Sequence, residues 1–133
     1  MPASIRYYDW LSHHADRRPH KLAIHDLATG RKLTYAQLDA RARKLARHLE
    51  ALGLGKADRV AILAPNCPEF FEVQFAAAKT GLVMLPLNWR LAVPELQYIM
   101  GDAGPKVLIH DAGFRDQALA LKAACGIPHL IEI

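Results

Sequence analysis

The sequence has little of what many catalytic centres are built from. Ser4 and Ser12 are its only serines. Both lie in or beside the first helical region, and no Gly-x-Ser-x-Gly elbow occurs, so nothing points to a serine nucleophile. There are two cysteines, Cys67 and Cys125, far apart and without CxxC spacing. That pattern reads as two free thiols rather than a disulfide or a zinc site. The seven histidines are scattered. His13 and His14 are adjacent and would point in different directions on a helix, and no HxxxH or HExxH spacing is present, so a metal centre lacks its usual ligand set. No apolar run approaches the ~20 residues of a membrane span. The first ten residues carry Arg6 and Asp9 and hold no apolar stretch of signal-peptide length. These absences lead to the expectation of a cytoplasmic protein without a transmembrane segment. The net charge of +4 is mild, and no basic run is joined to a reading motif, which speaks against nucleic acid as a partner. Neither GxGxxG nor GxxxxGK[ST] occurs. Gly53-Leu54-Gly55 follows a helix, so it reads as a cap and turn rather than a phosphate cradle.

What the sequence does have is a hydrophobic content of 52% over 133 residues, enough for a packed core. Ile5, Tyr8, Leu11 and Ala15 fall at helical spacing, and Pro19 closes that segment. Leu22–His25, a turn at Ala28-Thr29-Gly30, and Lys32–Thr34 predict a β-hairpin. From Thr34 to Leu52, Tyr35, Leu38, Ala42, Leu45, Leu49 and Leu52 form one apolar stripe. Thr34 with Gln37 matches a capping box, and Gly53 stops the helix. Arg43, Lys44 and Arg47 fall off the stripe and read as a solvated face.

Beyond Asp58 the pattern becomes strand and helix in alternation. Arg59–Ala64 is a short, nearly continuous apolar strand, as in sheets covered on both faces. Asn66 with Glu69 resembles a helix start. The helix Glu69–Thr80 is apolar around most of its surface and is expected to be largely buried. Leu82–Leu87 is the next strand, Val93–Ala103 a helix, Lys106–His110 a strand, Phe114–Ala124 a helix and His129–Ile133 a last strand. The fold class is therefore α/β: residues 58–133 form a β-α-β-α-β-α-β core with a mostly parallel, doubly covered sheet, preceded by a helix and a hairpin. Because the chain stops on an apolar strand, residues 1–133 are expected to be an incomplete N-terminal lobe with more sequence after Ile133. Its edge strands and uncovered faces should promote homo-oligomers.

Ligands of open α/β sheets gather beyond the carboxyl ends of the strands. Asn88 and Arg90, in Pro86-Leu87-Asn88-Trp89-Arg90-Leu91, stand at such an end. From the residues alone they read first as a turn-forming Asn and an exposed Arg, and second as a phosphate contact or loop organiser.

Five pieces in order resemble the N-terminal region of the AMP-forming acyl-CoA synthetases, within the adenylate-forming ligase superfamily. They are Leu33–Leu38, then Ala42–Gly53 with Lys56–Ala61, then Asn66, Glu69, Phe70 and Ala76–Gly81, then Pro86–Leu91 with Glu95-Leu96, and last Gly101–Ala103 with Lys106–Ile109. Ala57 stands where the family has a glycine before its aspartate. Asn88-Trp89-Arg90 is similar to the CoA ligases rather than to the adenylation domains of peptide synthetases. The resemblance implies a two-step activity: a small carboxylic or fatty acid and ATP give an acyl-adenylate and pyrophosphate, and CoA then displaces AMP. It implies ATP, Mg²⁺ and CoA for the parent enzyme and none for this chain alone, with no catalytic residue here. The Gly-rich phosphate loop, the Mg²⁺-ATP motif and the adenylating lysine of the family are not in the sequence. The remainder of the ligase chain would be the partner. By the same resemblance Arg90 contacts a phosphate of the CoA nucleotide and Asn88 organises its loop. The competing expectation is a stand-alone, non-catalytic binding module on the same lobe.

Overall fold

The computed structural model describes residues 8–133. Helix α1 spans Trp10–Arg17, β1 Leu22–His25, β2 Lys32–Thr34 and α2 Tyr35–Ala51. Then follow β3 Arg59–Leu63, α3 Pro68–Thr80, β4 Val83–Pro86, α4 Val93–Ala103 and β5 Val107–His110. A 3₁₀ turn at Ala112–Phe114, α5 Arg115–Cys125 and β6 His129–Glu132 complete the chain. β1 and β2 pair antiparallel. The other four strands form one parallel sheet in the order β4-β3-β5-β6.

Alternate residues of the central strands face opposite sides, as the pleat requires. Val60, Ile62, Val107 and Ile109 pack with Leu49, Val73 and Ala77 from α2 and α3. Ala61, Leu63 and Leu108 pack with Leu96, Met100, Ala118 and Leu121 from α4 and α5. The sheet is thus covered on both faces, which explains why its strands read as apolar runs rather than alternations. A third cluster, Leu11, Leu38 and Ala42, seats α1 and the hairpin on α2. The capping box is formed: Thr34 Oγ1 accepts from the Gln37 amide at 3.3 Å, and Gln37 Oε1 accepts from the Thr34 amide at 2.9 Å.

Three local expectations need correction. Helix α1 begins at Trp10 and leaves out Tyr8, because the Asp9 carboxylate accepts from the Ser12 amide at 3.0 Å and caps it there. Tyr8 lies outside the helix and is exposed, and Ile5 is outside the described residues. Helix α3 begins at Pro68 with Cys67 in the cap position. Proline suits the first helical turn, where its missing N–H is no loss, and Asn66 sits one residue too early to cap.

Helix α3 also buries a different side from the one its hydropathy suggests. Phe71 is 46% exposed whereas Glu72 is only 7% exposed, the reverse of what hydropathy suggests. Helices α2 and α3 share one face of the sheet, and the Glu72 side of α3 faces α2, where Arg41 meets the carboxylate. The Phe71 side faces an open trough that also touches Ile24 of the hairpin.

Long-range ion pairs hold the N-terminal elements in place. Lys79 Nζ on α3 donates to Asp9 Oδ2 at 2.6 Å, to Asp39 Oδ1 at 2.8 Å and to Ser12 Oγ at 2.8 Å. Arg43 Nε closes the cluster on Asp39 Oδ2 at 2.6 Å. Burial alone would push the Asp39 carboxyl up, but hydrogen bonds from Lys79, Arg43 and Ser12 outweigh it and leave it below its ordinary value. Arg31 of the hairpin forks onto Glu69 of α3 at 2.6 and 2.9 Å. Among the described residues no helix is long and apolar enough to cross a membrane.

Candidate ligand site at the strand ends

The strand order creates a switch point. After β3 the chain turns to α3 on one face, and after β5 it turns to α5 on the other, so the two connections part above the carboxyl ends of adjacent strands. Such a crevice is where open α/β sheets bind ligands. Here an open groove of about 280 Å³ lies at that end, lined in part by Asn66, Asp111, Asp26, Arg31 and Glu69. Its charges largely satisfy one another through the Arg31–Glu69 fork. The Arg31 hydrogen bond is the chief reason that the Glu69 carboxyl lies below its ordinary value. Burial pushes the neighbouring Cys67 thiol up to about 11, so it stays protonated near neutrality and is a poor nucleophile. Both cysteines are free thiols.

Asn88, Trp89 and Arg90 follow β4, at the same end of the sheet but beyond the outer neighbour of β3. All three are exposed. Leu87 anchors the segment from below, its amide donating to the Ile62 carbonyl at 2.9 Å and its side chain buried. Asn88 Oδ1 accepts from the Arg90 amide at 3.1 Å, and the Asn88 carbonyl accepts from the Leu91 amide at 3.0 Å. An Asn side chain that bonds the backbone two residues on builds a tight turn. The Arg90 guanidinium carbon lies 4.3 Å from the centre of the Trp89 ring. Phe114, from the turn after β5, lies beside that ring with centroids 6.1 Å apart and the planes tilted by 56°.

The site thus unites Asn88 and Arg90, which the sequence pointed to, with Trp89 and Phe114 in roles it did not suggest. The pairing of Trp89 with Phe114 joins the connections after β4 and β5, and no local periodicity carries such a signal. Arg90 enters none of the ion pairs among the described residues, as is also true of Arg17, Arg18, Arg47 and Arg59, whereas Arg31, Arg41, Arg43 and Arg115 are each held by a carboxylate. His110 ends β5 beneath this level, buried, with Nδ1 donating to the Asp111 carbonyl at 3.0 Å. Among the described residues no group of three His, Cys, Asp or Glu side chains is placed to hold a metal ion.

The family model described as AMP-binding enzyme matches residues 11–131. The chain belongs to that family. It is 42% identical over 114 residues to a feruloyl-CoA synthase from an Amycolatopsis species, covering 86% of this chain and 23% of the relative. The N-terminal domain of FACL13 from Mycobacterium tuberculosis superposes with a TM-score of 0.88 at 37% identity, over 96% of this chain and 34% of that one. ATP-bound MatB from Rhodopseudomonas palustris superposes with a TM-score of 0.77 at 37% identity, over 92% of this chain and 25% of that one. This AMP-binding family chain therefore spans about a quarter of the length of the relatives it matches. Its likeness to an isolated N-terminal domain accords with the α/β lobe described above. The expected kinship with the adenylate-forming ligases is thus confirmed by both the sequence match and the fold.

Proposed function

We propose that this segment serves an AMP-forming carboxylate–CoA ligase of the cytoplasm. In the first step a carboxylate oxygen attacks the α-phosphorus of ATP and pyrophosphate leaves, giving an acyl-adenylate. In the second the CoA thiol adds to the acyl carbon, loses its proton and expels AMP, giving the thioester. The adenylate turns a poor leaving group into a good one. Charge that develops at phosphorus must be spread by Mg²⁺ and cationic side chains. Those groups belong to the remainder of the ligase chain, which is the partner of this lobe.

The observation that carries a local role is the placement of Arg90. Arg90 sits beyond a parallel strand end, exposed, with its guanidinium carbon over the Trp89 ring and without an ion pair among the described residues. A planar fork in that position can take a phosphate oxygen pair with two parallel bonds. Arg90 therefore binds a phosphate of the CoA nucleotide, and Asn88 holds the turn that presents it. This chain supplies binding and orientation, and the bond-making groups lie elsewhere in the ligase. Acid-dependent exchange of pyrophosphate into ATP tests the division of labour. The isolated 133-residue chain should match the enzyme-free blank across a panel of carboxylic acids, while the full-length ligase should not. Clear exchange by the chain alone would overturn it.

A further inference from the structure

We infer that Trp89, backed by Phe114, is a positioning residue that sets the plane and reach of the Arg90 guanidinium toward an anionic ligand. This rests on the reading of Arg90 as the residue that meets the CoA phosphate. An exposed arginine samples many rotamers, and ordering one on ligand binding costs free energy. The structure shows three restraints on Arg90. Asn88 Oδ1 accepts its amide at 3.1 Å and fixes the backbone turn. The Trp89 ring face lies 4.3 Å from the guanidinium carbon, an attractive cation–π arrangement. Phe114 lies beside the indole, its ring tilted by 56° with centroids 6.1 Å apart, and narrows the space open to it.

Phe114 is itself held from below. Its amide donates to the Asp111 carbonyl at 2.9 Å, and the Asp111 side chain accepts from the Gly113 amide at 2.8 Å. The Asp111 amide in turn donates to the Leu63 carbonyl at the end of β3 at 3.0 Å. The chain of contacts thus runs from the central strand to the arginine. A guanidinium held over a ring face leaves its outer N–H donors free, and a phosphate can accept two of them. Lysine in place of Arg90 would keep the charge and lose both the stack and the fork.

The test uses 3′,5′-ADP, the nucleotide end of CoA, as the probe and the 133-residue chain as the protein, with adenosine as the phosphate-free control. Binding is read by ligand-observed NMR, which does not depend on the indole. Arg90→Ala should abolish most of the 3′,5′-ADP binding and leave the weak adenosine signal unchanged. Trp89→Leu should weaken 3′,5′-ADP binding about two- to fivefold, the worth of an exposed cation–π contact. Trp89→Phe should recover most of that loss, and Phe114→Ala should give a smaller loss of the same kind. In the Arg90→Ala background Trp89→Leu should have no further effect, because Trp89 acts only through the arginine. Full binding by Trp89→Leu, or an equal loss with and without Arg90, would overturn the positioning role while leaving Arg90 as the phosphate ligand. Unchanged binding by Arg90→Ala, or no binding by the unaltered chain, would overturn the Arg90 reading and this inference with it.

Discussion

Replacing Ala57 by glycine should stabilise the protein, although glycine usually does the opposite. Ala57 has φ +71°, the only left-handed residue other than glycine among those described. It closes the turn into β3, its amide donating to the Gly81 carbonyl at 2.8 Å. The next residue locks the conformation: Asp58 Oδ2 accepts from the Gly55 amide at 2.8 Å, and Asp58 Oδ1 meets Lys106 Nζ at 2.8 Å. Ala57 is exposed, so its methyl group buries little. A side chain in the left-handed region costs about 1–2 kcal/mol, while glycine loses about 0.5–1 kcal/mol more backbone entropy on folding. The balance favours Ala57→Gly by about 0.5–1 kcal/mol. With an unfolding entropy of roughly 2.1 cal/mol/K per residue, that is a rise of about 2–4 °C in Tm. Urea unfolding of the two proteins under identical conditions gives the free energy directly, and Ala57→Val should shift the midpoint the other way. A glycine variant no more stable than the parent would refute the strain argument.

The Lys79 cluster makes a pH-dependent prediction. Lys79→Met leaves two carboxylates without their shared cation and should cost about 2–3 kcal/mol at pH 7, less than a fully buried broken pair. The discount reflects the 31% exposure of the Asp9 side chain and the Arg43 contact that remains on Asp39. Both carboxyls lie below their ordinary values in the intact cluster, so its stabilisation is present above about pH 4 and fades as pH falls through their folded values. The deficit of the variant should shrink over the same range, and a deficit independent of pH would point to lost packing instead. The chain should also self-associate, because β4 and β6 are open sheet edges and Trp10 and Phe71 are exposed. Light scattering should show dimers or larger species that Phe71→Asp reduces, whereas a monomer at high concentration would contradict the expectation.

Much of the architecture was legible because it is local. The Thr34–Gln37 box and Gly53 bracket α2, and Val93–Ala103 matches α4 residue for residue. The apolar run from Arg59 signalled a sheet covered on both faces, which the two core clusters show. What escaped was set by partners distant in sequence. Asp39 is held by Lys79, which arrives from α3, and Asp9 and Lys79 are 70 residues apart. Glu72 is buried only because Arg41 meets it, and Phe71 is exposed because the trough beside it holds no protein among the described residues. At the candidate site the strand-end rule led to Asn88 and Arg90, but the stack on Trp89 and its backing by Phe114 depend on how two connections meet above the sheet.

We propose that this lobe serves CoA in the second half-reaction through Arg90. Arg90→Ala in the full-length ligase tests it most directly, with both half-reactions measured on the same preparation. Loss of a charge-assisted hydrogen bond of about 1.5–3 kcal/mol should raise the KM for CoA by about one to two decades in thioester formation. Pyrophosphate exchange should hardly change, because CoA takes no part in that step. Equal losses in both assays would mean that Arg90 supports the fold rather than CoA, and no loss in either would mean that it is an exposed arginine without a role in the reaction.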